Sequence, residues 1–138
     1  MKRIFLDANV LFTVAHNPRG KAAFIVEIGR DGLWKLYSSA YAVAEARRNL
    51  EIKFPEQVTD FEILLGEMQI IKHQESDARL PGLGNKDQPI FQAALACSAT
   101  HLVTGDKKDF GKFMNKPGET SGIIIQTPAD FLRQFDLP

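Results

Sequence analysis

Short, almost unbroken aliphatic runs alternate along this chain with stretches whose apolar residues recur every three or four positions. That alternation constrains the fold more than any other feature. The runs at residues 4–6, 33–37, 68–71, 101–104 and 123–125 read as five strands. Strands with so little polar alternation are buried on both faces, so the pattern predicts a parallel sheet covered by helices on either side. In such sheets ligands collect beyond the carboxyl ends of the strands.

The punctuation between these runs places the helices. Asp7 closes the first run, and residues 10–15 continue at helical spacing. Ala22, Phe24, Ile25 and Ile28 share one face of a second helix that the Gly29-Arg30-Asp31-Gly32 cluster stops. Ser38 or Ser39 caps the next, in which Val43, Ala46, Leu50 and Phe54 recur and Pro55 marks the end. Pro55 opens another helical pattern through Val58, Phe61 and Leu65. Residues 73–85, with Pro81, Gly82 and Gly84, form the one long irregular connection, the kind of loop that borders functional sites. Pro89 starts a helix running to about residue 99, residues 109–115 form another, and residues 128–135 the last.

At 138 residues and 44% hydrophobic content, a single domain spanning 1–138 with one sizeable core is expected. Lys and Arg number 17 and so do Asp and Glu, so net charge supplies no general attraction to nucleic acid or to an anionic membrane. Any such contact must come from a local basic patch. Cys97 is the sole cysteine, which excludes an internal disulfide and reads as a buried core thiol. The basic-then-apolar start is interrupted by Asp7 too early for a signal-peptide core, and no stretch approaches the roughly 20 apolar residues of a membrane span. A soluble, cytoplasmic protein is expected.

Four acids remain conspicuous. Asp7, Glu45, Asp87 and Asp106 are far apart in sequence, yet each sits where a strand or helix end brings it toward one edge of the sheet. Singly, each has an ordinary role. Asp7 caps a helix, Asp87 favours the positive end of its own helix, Asp106 serves the Gly105 turn, and Glu45 pairs with Arg48. Together, crowded carboxylates repel one another and resist ionisation unless a cation sits among them. Oxygen ligands of this type suit Mg²⁺ or Mn²⁺ rather than zinc. His16, His73 and His101 occur singly, without ligand spacing, and read as structural.

The local strings around these acids are specific. Phe5-Leu6-Asp7-Ala8-Asn9-Val10-Leu11, Tyr41-Ala42-Val43-Ala44-Glu45, Lys86-Asp87-Gln88-Pro89-Ile90 leading to Ala93-Ala94, and Leu102-Val103-Thr104-Gly105-Asp106 with Asp109-Phe110 closely resemble a PIN domain, nearest to its VapC-like toxin branch. The resemblance covers essentially the whole chain, and the Thr-Gly-Asp segment is its most specific part. It implies a three-layer α/β/α nuclease fold around a mainly parallel five-stranded sheet. Asp7, Glu45, Asp87 and Asp106 match the family's acidic quartet and Asp109 a less regularly used fifth acid. Asn9 and Thr104 match the polar residues beside them. The implied activity is Mg²⁺- or Mn²⁺-dependent hydrolysis of RNA, leaving a 5′-phosphate and a 3′-hydroxyl. Arg47, Arg48, Lys86, Lys107 and Lys108 flank the acids and are candidates for RNA phosphate contacts. The likeness also implies a homodimer and a VapB-like antitoxin, with Trp34, Phe54 and Phe61 as candidates for those surfaces or for the core.

Two other classes compete. A phosphoryl-transfer enzyme of the haloacid-dehalogenase type needs a second Asp where Asn9 stands, and a receiver domain needs an acceptor Asp where Lys72-His73-Gln74 occurs. A non-toxin RNA-processing nuclease or a non-catalytic interaction module of the same fold is the other alternative, and the intact acids count against the module.

Overall fold

The computed structural model of the protein describes residues 1–72 and 76–135. The first strand, β1 (Lys2–Leu6), leads through Asp7 into α1 (Ala8–His16). There follow α2 (Lys21–Arg30), β2 (Trp34–Ser39), α3 (Ala40–Lys53), α4 (Val58–Leu65) and β3 (Gln69–Ile71). The second half comprises α5 (Gln88–Ala96), β4 (His101–Val103), α6 (Lys107–Phe110), β5 (Ile124–Gln126) and α7 (Pro128–Arg133).

The five strands form one sheet in the order β3-β2-β1-β4-β5, and every neighbouring pair is parallel. The expected mainly parallel sheet is therefore parallel throughout. β1 lies at its centre, and its Ile4, Phe5 and Leu6 are fully buried, which is why the run carries no polar residue. The chain builds outward from β1 to β3, then returns across the sheet to β4 and β5. The topological switch therefore falls between β1 and β4, where the chain leaves adjacent strands in opposite directions and opens a crevice at their carboxyl ends. α1 packs on α2, α3 and α4, while α5 lies against β2 and β4, and the sheet sits between these layers in a three-layer α/β/α arrangement.

Several ends differ from the sequence expectation, each for a local reason. β2 continues through Ser38 and Ser39, because the Ser38 hydroxyl donates to Leu6 O at 2.7 Å and Ser39 serves as the cap, accepting from Ala42 N at 3.1 Å. α5 stops at Ala96 rather than near residue 99. Ser98 adopts the left-handed conformation (φ 55°), and Ala99 N donates to Ala94 O at 2.9 Å in a Schellman-type termination. The helix expected over 109–115 is only α6 followed by a 3₁₀ turn, Gly111–Phe113. Asp106 caps it early by accepting from Asp109 N, and Asn115 N is drawn instead to Ile125 O at 2.9 Å on the sheet edge.

Cys97 is a buried free thiol, as expected. Trp34 and Phe61 are core residues and Phe54 is half-buried against the core. Trp34 donates its indole N–H to Ile25 O at 3.0 Å and meets Phe131 of α7 edge-on. His101 is buried in β4 against the same Phe131, and burial lowers its imidazole to about 4, so it is neutral. His16 is exposed and stacks on Phe54 at 4.0 Å, while His73 lies outside the described residues. Among the described residues no helix is long and apolar enough to cross a membrane.

Candidate metal centre

The crevice at the switch point is walled on one side by the ends of β1 and β4. Asp7 N donates to Val103 O at 3.1 Å, extending the ladder by one residue before α1 begins. The Asp7 carboxylate is then fixed from three directions. Its Oδ1 accepts from Ala8 N at 2.7 Å, and its Oδ2 accepts from the Thr104 hydroxyl at 2.8 Å and from Asn9 Nδ2 at 3.1 Å.

Thr104 uses its whole capacity in this network. It gives its one proton to Asp7 and accepts from Asn9 Nδ2 at 3.2 Å and from Asp106 N at 3.1 Å. Asn9 Oδ1 in turn accepts from Gly105 N at 2.7 Å. A side chain at Gly105 would place its Cβ only 3.2 Å from that Asn9 oxygen, so the close approach favours glycine. The side chain of Asp106 caps α6 by accepting from Asp109 N at 3.0 Å. Asn9, Thr104 and the Gly105-Asp106 turn thus hold two carboxylates in register across the switch.

The opposite wall is built differently. Asp87 stands at the start of α5 with no capping bond from its side chain, and Pro89 occupies the first turn. One of its oxygens, Oδ2, is buried without a hydrogen-bond partner. Such an oxygen is costly unless something electropositive reaches it. Gln88, also buried, accepts from Leu80 N at 2.9 Å and donates to Leu80 O and Leu83 O, which organises the loop ahead of Asp87. Tyr41, one helical turn before Glu45 on α3, donates its hydroxyl to Lys86 O at 2.6 Å.

Asp87, Asp106 and Asp109 each offer an oxygen within 4.8 Å of the others. Asp7 and Glu45 lie beside this trio rather than within it. The charge of Glu45 reaches Asp7, and the Tyr41 phenol feels Glu45, Asp87 and Asp7 together. The sequence-predicted acids therefore share one edge of the sheet, with Asp109 in the tightest group and Glu45 exposed at its margin. No histidine joins the group among the described residues.

The electrostatics follow from the crowding. Burial pushes the Asp7 carboxyl up to about 6, with the Glu45 charge adding to it, against the pull of its hydrogen bonds. Asp87 is likewise pushed up to about 6, first by burial and then by the Asp109 charge. For Asp109 desolvation acts upward, but hydrogen bonding at Asp106 and the Lys86 ammonium outweigh it and hold the carboxyl low. Burial and the charge of Glu45 raise the Tyr41 phenol, keeping it protonated as a donor. Three clustered carboxylate oxygens, one buried oxygen without a partner and no nitrogen or sulfur donor fit a hard divalent cation.

The basic residues divide. Lys86 Nζ lies 3.4 Å from Asp109 Oδ2 with its side chain 74% exposed, so it is at the rim of the trio. Lys107 and Lys108 are exposed on the first turn of α6, next to Asp106, and Arg48 is exposed on α3. Arg47 is committed elsewhere, pairing with Glu62 of α4 at 2.7 Å and lying over the Phe61 ring. Sequence reasoning missed Tyr41 and Gln88 as organisers of the Asp87 wall. The spacing of Tyr41 four residues before Glu45 is the one signal that pointed to it.

A parallel α/β/α sheet with carboxylates gathered beyond its switch point defines the class of fold and of candidate site found in this chain. A family model for the PIN domain matches residues 3–108, and the chain belongs to that family. Its fold is also that of a chain in the VapBC2 complex of Rickettsia felis bound to a DNA fragment from its promoter. That chain is 18% identical, with a TM-score of 0.65, over 91% of this chain and 98% of that one. A chain of VapBC-1 from nontypeable Haemophilus influenzae is 18% identical with a TM-score of 0.58, covering 92% and 98%. A chain of FitAB bound to the IR36 DNA fragment is 18% identical with a TM-score of 0.61, covering 91% and 94%. No curated protein is significantly similar to the chain in sequence.

Proposed function

We propose that the chain is a single-domain ribonuclease, spanning 1–138, that hydrolyses RNA phosphodiesters with Mg²⁺ or Mn²⁺, and that it is the toxin of a VapBC-type pair. The observation that carries this reading is the trio of carboxylates at the switch point, one member of which, Asp87, keeps a buried oxygen without a partner. Asp87, Asp106 and Asp109 would hold the cation, with Asp7 and Glu45 completing its surroundings. When bound, the ion activates a water and offsets charge on the departing oxygen.

The remaining work falls to the chain's own residues. Thr104 and Asn9 keep the Asp7 carboxylate oriented, and Oδ1, which accepts only from Ala8 N, retains a free lone pair. Lys86, Lys107, Lys108 and Arg48 supply positive charge around a strongly acidic centre and guide the phosphates of the substrate. Arg47 has the weakest claim among the basic candidates, because Glu62 already occupies it. In-line attack of water on phosphorus with departure of the 3′-oxygen would leave a 5′-phosphate and a 3′-hydroxyl.

The structural neighbours come from VapBC and FitAB complexes, which supports a VapB-like antitoxin as partner, and a homodimer working in the cytoplasm is part of the same proposal. Purified protein should cleave RNA in Mn²⁺ or Mg²⁺ and stop in excess chelator, and sequencing of the cut ends should return the 5′-phosphate. Cleavage that persists in chelator contradicts the mechanism. Growth arrest on expression, relieved by an adjacent small gene product, tests the toxin assignment. Cleavage without such arrest would make the chain a housekeeping nuclease instead.

A further inference from the structure

The two walls of the carboxylate crevice are joined to the fold in unequal ways, and the weaker one depends on a single side chain. Asp87 follows a loop that Gln88 ties to itself and to α5, but not to α3. Among the described residues, the one side-chain hydrogen bond between α3 and the segment preceding α5 is Tyr41 Oη donating to Lys86 O at 2.6 Å. That carbonyl belongs to the peptide linking Lys86 to Asp87. The N–H of the same peptide donates to Gly84 O at 3.0 Å, so the peptide is pinned at both of its polar atoms.

The consequence is geometric. Tyr41 lies one turn before Glu45, so its hydroxyl couples the helix that carries one acid to the backbone that carries another. It also fixes which way the two side chains of the pinned dipeptide leave the chain. Asp87 points inward with its oxygen unpartnered, and Lys86 points outward over Asp109. We propose that Tyr41 is a positioning residue for cation binding, holding the Asp87 carboxylate and the Lys86 ammonium in place through the Lys86 carbonyl. The inference rests on the carboxylate site proposed above. Without the hydroxyl the carbonyl turns to water and the peptide keeps only its N–H tie to Gly84 O, so the side chains of Asp87 and Lys86 are placed less firmly.

The test is a Mn²⁺ titration of the full chain, wild type against Tyr41→Phe, following free Mn²⁺ by electron paramagnetic resonance, with a thermal melt of each in chelator. The substitution keeps the ring and removes one hydroxyl, so the affinity for Mn²⁺ should fall about three- to tenfold, the scale of one lost hydrogen bond. Unchanged Mn²⁺ affinity in Tyr41→Phe overturns the proposal, whatever the melt shows, because a merely structural hydroxyl would shift only the melting temperature. A wild-type protein that binds Mn²⁺ but leaves RNA intact contradicts the ribonuclease reading alone. One that binds no Mn²⁺ overturns both.

Discussion

The β1–β4 wall of the crevice and the α3–α5 wall present carboxylates to the same space, but only the first is prepared for it without a cation. Asp7 accepts three hydrogen bonds and Asp106 is tied to the same threonine through its backbone. Asp87 has a buried oxygen with no partner, and among the described residues the one side-chain bond from α3 to the peptide ahead of it comes from a phenol. The difference teaches that one wall is built for rigidity, since its bonds persist in any state of the site. The other stores a cost that only a positive charge can relieve.

The comparison breaks first, and most severely, at the level of chemistry. Replacing either Asp7 or Asp87 by Asn should lower RNA cleavage by about a thousandfold or more, since each removes a charge from the cation's surroundings. Single-turnover assays at saturating Mn²⁺ would measure this, and a residual rate within tenfold of wild type for either would remove that residue from the site.

Proton linkage gives the next largest effect. Asp7 has a folded value of about 6 against an ordinary value of 3.8, so the folded state holds its proton where the unfolded chain has released it. The stabilising contribution is fully present below about pH 4 and is lost as pH rises through about 6. Two units correspond to about 3 kcal/mol for this group. Asp87 acts in the same direction. Denaturant melts in chelator should therefore show stability attributable to these groups falling between about pH 4 and pH 7. Added Mn²⁺ should flatten the slope at the upper end. A metal-free stability that rises across that window would contradict the burial argument.

Thr104→Val removes the donor to Asp7, leaves Asp106 N without its acceptor and leaves Asn9 Nδ2 with Asp7 Oδ2 alone. A loss of about 2–3 kcal/mol in urea melts is expected, because buried groups are orphaned rather than merely exposed. On the other wall the sign reverses. Asp87→Asn deletes a charge that burial and Asp109 oppose, so the metal-free protein should become more stable at pH 8 by about 1 kcal/mol, even as cleavage is lost. Destabilisation by both variants would mean that the walls do not differ as described. Smallest of all, Arg47→Ala breaks an exposed pair with Glu62 and should change stability by less than about 1 kcal/mol. RNA affinity should hardly move, in contrast to Lys86→Ala.

The rigid wall was also the more legible one in the sequence. Aliphatic runs located β1 and β4, and a parallel sheet puts the residues just beyond each strand at the ligand edge, so Asp7, next after β1, and Asp106, in the turn after β4, were legible as strand-end acids. Asp87 was marked by the long loop before it and the proline after it. What no local pattern announces is pairing across sequence distance. Thr104 reaches Asp7 over 97 positions, Tyr41 reaches Lys86 over 45, and Arg47 meets Glu62 over 15. Each is decided by how the elements pack. The ends of α5 and α6 escaped for a smaller reason, since a left-handed serine and an early aspartate cap outweighed helical spacing that continued past them.

The central claim is that the acids beyond the switch point receive a divalent cation. Anomalous diffraction from crystals of the protein grown with Mn²⁺ tests it most directly. The account predicts a manganese peak bounded by Asp87, Asp106 and Asp109, within reach of Asp7. A map with no peak there, or with manganese bound only at another surface, would contradict it.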